Sequence, residues 1–123
     1  MSAQALIRSL VEALRKEVPM LVRSAPASGD YLEGVLPRQN LERCCATLTS
    51  ALGPPIKEFS KAGTFEPAVQ RLVDRLGGLR FDQCLFLKHG GDESVIYATL
   101  WPWASDATRL TLKVGLGTVT VER

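Results

Sequence analysis

The sequence predicts an α+β fold of three helices followed by an antiparallel β-meander of three to four strands, with the helices packed on one sheet face. Three observations carry this prediction. Apolar residues recur at helical spacing through the first two-thirds of the chain, the apolar period changes to two after Gly77-Gly78, and turn-forming residues separate the runs that follow. Helices first and strands last favour α+β over a parallel α/β sheet. At 123 residues, 46% hydrophobic and 23% charged, the chain reads as a single domain over residues 1–123, large enough to bury a core without staples.

The first helix is predicted over residues 2–23. Leu6, Ile7, Leu10, Val11, Leu14, Val18 and Leu21 form one stripe, and Arg8, Glu12, Arg15 and Lys16 stand opposite. Pro19 lacks an amide hydrogen and should kink this helix or end it near Val18. A small-residue loop follows, and Tyr31-Leu32-Glu33-Gly34-Val35-Leu36 reads either as loop or as an extra edge strand.

Pro37 suits a first helical position, and Leu41, Cys44 or Cys45, Leu48 and Leu52 make the second stripe, closed by Gly53-Pro54-Pro55. Thr64 can cap a third helix with Phe65, Ala68, Val69, Leu72, Val73 and Leu76 inward, ended by Gly77-Gly78. Leu79, Phe81, Leu85 and Leu87 then alternate with Arg80, Asp82, Cys84, Phe86 and Lys88, as in a strand. His89-Gly90-Gly91-Asp92-Glu93 is a hairpin turn into a strand over residues 94–101, and residues 104–108 form the next turn. Leu110, Leu112, Val114 and Leu116 alternate, but Val119 and Val121 are out of phase with them, which places a bulge or tight turn at Gly115-Leu116-Gly117.

The formal charge is +2 and the cations are spread along the chain, a balance that neither requires nor excludes nucleic acid. Three cysteines at 44, 45 and 84 form no disulfide framework, so a reducing, cytoplasmic compartment is expected. The N-terminal residues run into an amphipathic pattern containing Glu12 and Glu17, which suits neither a secretory signal nor a transit peptide. No uncharged stretch reaches the ~18–20 residues needed to span a bilayer, and a soluble protein without a membrane partner is expected.

Both predicted sheet faces carry bulky apolar groups: Cys84 and Phe86 oppose Leu85 and Leu87, and Val95, Tyr97, Trp101 and Trp103 oppose Ile96, Ala98 and Leu100. A sheet covered by helices on one side alone would have one polar face. The second face therefore needs a cover: the Tyr31 segment, the first helix, a second copy of the chain, or another protein. Trp101-Pro102-Trp103 belongs at a strand end, since proline cannot donate to a ladder. Phe86, Tyr97, Trp101 and Trp103 are the candidate interaction residues, and a homodimer or a protein partner is expected. Burial of both indoles as caps on the core is the competing account of that string.

Candidate chemistry is sparse. His89 with Asp92 or Glu93 nearby is the one acid–base arrangement, without a nucleophile beside it. Cys44, Cys45, Cys84 and His89 lack chelating spacing, so neither a metal nor a cofactor is expected. Gly115-Leu116-Gly117 and Gly77-Gly78 are explained by backbone geometry rather than phosphate binding. No GxxxxGK[ST], HExxH or GxSxG is present, which leaves open only enzymes without such signatures.

Three function classes follow. The leading one is a non-catalytic protein-interaction or assembly module that uses an apolar sheet face. The second is a small ligand-binding domain or enzyme with a cleft near His89 and Asp92. The third is a nucleic-acid-binding domain using Arg71, Arg75, Arg80 and Lys88, whose interleaved Asp74 and Asp82 fit a solvated mixed-charge surface better.

Overall fold

A computed structural model of the chain describes residues 2–90 and 93–119. Ser2 accepts a hydrogen bond from the Ala5 N–H at 3.1 Å and starts helix α1, Ala3–Glu17. The helix stops where Pro19 cannot continue it, with Val18 as its cap. The chain then forms two strands between the first and second helices, β1 (Leu21–Ser24) and β2 (Leu32–Pro37). The Tyr31 segment is thus an inner strand, and β1 is the edge.

Pro37 closes β2 instead of opening a helix, because β2 stays in register with the last strand as far as Pro37 opposite Arg109, and the Arg38 N–H donates to the Thr108 carbonyl. A 3₁₀ turn, Arg38–Asn40, leads into α2, Leu41–Leu52, which Gly53 caps at positive φ. Helix α3 is shorter than expected, Pro67–Arg75, with proline in its first turn and Glu66 rather than Thr64 before it. Strands β3 (Cys84–His89), β4 (Ser94–Pro102) and β5 (Arg109–Thr118) complete one five-stranded antiparallel sheet in the order β1-β2-β5-β4-β3.

Residues 79–83 alternate in sequence but form a turn, and Phe81 is 63% exposed. A distant side chain sets that conformation: Lys57 Nζ donates to the carbonyls of Glu58, Phe81 and Gln83 at 2.9, 2.7 and 2.6 Å. Backbone pairing between Lys57 and Leu85 also covers part of the β3 edge, which would otherwise present unpaired groups. The opposite edge, β1, is short and irregular, its register shifting between Val22 and Ser24.

On the first sheet face, the rows Leu32–Val114–Ala98–Phe86 and Leu112–Leu100–Cys84 pack with Ile7, Leu10, Leu14, Cys44 and Leu48 of α1 and α2. Each such side chain contributes about 1.5–3 kcal/mol by leaving water. Helix α3 joins the other face, where Val69, Leu72 and Val73 pack with Leu85, Leu87, Val95, Tyr97 and Val119. The expected two-sided apolar sheet is therefore present, and α3 covers one part of its second side.

No bulge interrupts β5, whose register with β4 is regular from Thr118 opposite Ser94 to Leu110 opposite Pro102. The phase change that suggested one marks a change in which face is buried. Leu110, Leu112, Val114 and Leu116 join the core with α1 and α2, and the odd-numbered Val119 joins the cluster with α3. Gly115 and Gly117 permit close approach on the second side: a Cβ at Gly115 would lie 2.6 Å from Tyr97 Oη, and one at Gly117 2.8 Å from Leu72 Cδ1.

Candidate interaction surface on the second sheet face

Helix α3 stands at the β3–β4 end of the second face, and among the described residues no helix lies over the part built by β1, β2, β5 and the end of β4. Register brings Leu21, Val35, Thr111 and Trp101 into one cross-strand row and Glu33, Lys113 and Thr99 into the next. Leu21 is 66% exposed, while Trp101 and Trp103 are partly buried.

Both indoles are fixed by neighbours on this surface. Trp103 Nε1 donates to Thr111 Oγ1 at 2.8 Å, and the guanidiniums of Arg23 and Arg109 lie 5.6 and 5.5 Å from its ring centroid. Lys113 Nζ lies 5.2 Å from the Trp101 ring. Such contacts are each worth about 0.5–1 kcal/mol at exposed sites and bias the rings toward these orientations.

Carboxylates accompany the cations: Asp106 is 3.3 Å from Arg109, and Glu33 is 3.7 Å from Lys113 and accepts the Tyr31 hydroxyl at 3.0 Å. Partial burial, then that hydrogen bond and the Glu33 charge, push the Tyr31 hydroxyl up to about 12. Asp106 is held below the usual carboxylate range chiefly by its hydrogen bonds from Thr108, which organise the turn before β5. The surface thus carries aromatic rings, aliphatic groups and both signs of charge.

The other sequence candidates lie elsewhere. Phe86 is 1% exposed beneath α1 and α2, so it belongs to the core and to no accessible surface. Tyr97 is on the second face but is buried to 8% exposure with α3. A groove lies between the end of α3 and the second sheet face; His89 is exposed at the end of β3 and does not line it, and its expected partner Asp92 lies outside the described residues.

The four proposed nucleic-acid contacts do not make one strip. Arg75 is at the end of α3 and donates to the Thr118 carbonyl, Arg80 pairs with Asp82 at 3.5 Å, and Lys88 reaches the Ala51 carbonyl at the end of α2. Arg71 lies on α3, and the β3 pleat turns Lys88 to the opposite sheet face. The cations next to the tryptophans are Arg23, Arg109 and Lys113, which the sequence reading missed. Arg109 and Lys113 share the parity of Thr111, the residue opposite Trp101, and that alternation was the available signal.

The three cysteines are unbridged, Cys44 and Cys84 buried and Cys45 at the boundary. Among the described residues, no group of three or more His, Cys, Asp or Glu side chains is placed to hold a metal. Burial, then the neighbouring thiols, pushes Cys44 up to about 12; burial, then Cys45, does the same to Cys84. Because the thiolate is the reactive form, a thiol reagent at neutral pH should label Cys45 first and the other two only on unfolding, as peptide mapping would reveal.

The pH dependence follows from the same shifts. Unfolded thiols ionise near 9.0, whereas folded Cys44 and Cys84 keep their protons until about 12. Their contribution to stability is complete below about pH 9 and lost as pH rises through that window. Denaturant midpoints measured across it should fall, and a flat profile would contradict the buried-thiol assignment.

Among the described residues, no helix is long and apolar enough to cross a membrane. The fold is α+β, three helices with a five-stranded antiparallel sheet, α1 and α2 against one face. Compared with protein-family models, curated proteins and solved structures, the chain matches none.

Proposed function

We propose that this chain is a non-catalytic assembly module that pairs with a second copy of itself through the part of the second sheet face centred on Trp103 and Leu21. The observation that carries this reading is the exposed Leu21 and the two tryptophans on a sheet region that, among the described residues, no helix covers. Large aromatic and aliphatic groups in such a position are typical of interface anchors. The mixture of Arg23, Arg109 and Lys113 with Glu33 and Asp106 supports a second copy as the partner, since a two-fold axis can set cations of one protomer against carboxylates of the other. Three unbridged thiols are consistent with a reducing compartment such as the cytoplasm.

Sedimentation velocity over a range of concentrations tests the reading. Wild-type protein should sediment as a dimer at micromolar concentration, and Trp103→Ala should weaken the dimer by at least about 2 kcal/mol, some thirtyfold, while remaining folded. A wild-type protein monomeric throughout that range would exclude self-assembly.

A further inference from the structure

We infer that the groove between the C-terminal turn of α3 and the second sheet face binds a small, flat, anionic aromatic ligand, at a site that adjoins the docking surface centred on Trp103 and shares Trp101 and Lys113 with it. The groove encloses about 380 Å³, within the size range of small-molecule sites. Leu85, Tyr97 and Thr99 form its floor, the turn after α3 one wall, and Tyr31, Trp101 and Lys113 the other. Aromatic rings and a buried threonine thus meet in a concave space, the combination that binds a planar body and orients its polar end.

The α3 wall is unusually open. Gly77 and Gly78 have φ of 98° and 86°, and a Cβ on either would meet nothing within 4 Å. The Gly78 N–H is held by the Val73 carbonyl at 2.9 Å, so this bare backbone wall is fixed. A flat ligand can lie against it without displacing a side chain.

Charge selects the ligand's sign. Among the described residues, Arg75 and Lys113 are the charged ones lining the groove, and no carboxylate lines it. Arg75 also donates to the Thr118 carbonyl, and Lys113 is 3.7 Å from Glu33, outside the lining, with the Lys113 side chain 39% exposed. A carbonyl does not neutralise a guanidinium, and an exposed ion pair at that distance is weak enough to be opened by an incoming anion. A carboxylate or sulfonate on an aromatic ring would meet both cations while its ring packs on Tyr97 and Trp101.

Titration of ¹⁵N-labelled protein with 2-naphthoate, followed by amide chemical shifts, tests this site. The amides of Gly77, Gly78, Thr99 and Lys113 should move together. Affinity should fall about tenfold for 2-naphthamide, which is isosteric and neutral, and about tenfold for naphthoate on Lys113→Gln, the loss of one charge-assisted contact. Trp103 does not line the groove, so Trp103→Ala should bind naphthoate at least as tightly as wild type while it weakens self-assembly, which separates the two tests. Equal affinity for the acid and the amide, or shifts absent from the groove at millimolar naphthoate, would overturn the proposal.

Discussion

Phe86→Ala should lower the free energy of unfolding by about 4 kcal/mol, in the range found when a buried phenylalanine is truncated in a packed core. Phe86 is 1% exposed and sits in the row Leu32–Val114–Ala98–Phe86, which packs with α1 and α2. Truncation leaves a cavity with rigid walls on both sides, and the lost contacts add to the lost transfer free energy. Urea unfolding followed by far-UV circular dichroism measures the change. A loss below about 1 kcal/mol would place Phe86 outside the core, since exposed substitutions rarely cost more. Trp103→Ala supplies the contrast, because its site is half open and its main expected cost is in association.

Lys57→Met should cost about 3 kcal/mol. The substitution keeps an unbranched stem but removes three donors from a residue only 5% exposed, and each lost charge-assisted bond leaves a carbonyl of Glu58, Phe81 or Gln83 without that partner. The damage should be local first. Lys57 joins the connector before α3 to the turn over residues 79–83, and its backbone covers the free edge of β3 at Leu85. Amide hydrogen exchange should therefore accelerate at Ile56, Lys57 and Leu85 more than at β5, whose strand is paired on both sides. Uniform acceleration throughout the sheet, or a stability loss under about 0.5 kcal/mol, would show that these bonds do not hold the turn.

How much of this was legible in the sequence depends on how far apart the determining residues lie. Helices α1 and α2 were legible because their stripes, Pro19 and Gly53 are local signals. The alternation in β4 and in β5 up to Leu116 also assigned the two sheet faces correctly, including the apolar groups on both. Strand β1 was not legible: Leu-Val-Arg-Ser is four residues long, mostly exposed, and has no period of its own. The turn over residues 79–83 was misread because its conformation depends on Lys57, more than twenty residues earlier.

A helical stripe also does not say which face of a sheet it will meet. Helix α3 has as clear an inner face as α2, yet the connection through Ile56 and Lys57 carries the chain around the β3 edge to the second side. The candidate surface was half legible for the same reason. Trp101 and Trp103 stood out as residues, whereas the cations that flank them come from β1 and β5 and are brought together only by the pairing of β1, β2 and β5.

Because the chain has two tryptophans and both stand on the proposed docking surface, tryptophan fluorescence reports on that surface and, through Trp101, on the edge of the adjoining groove. The most direct test of the assembly reading is iodide quenching of this fluorescence as the protein is diluted from high to low micromolar concentration. Quenching should be weak in concentrated protein and grow as dimers dissociate, in step with the sedimentation data, and Arg23→Glu should shift both curves to higher concentration. A dimer whose tryptophans are quenched as readily as the monomer's would place the interface elsewhere and contradict the account.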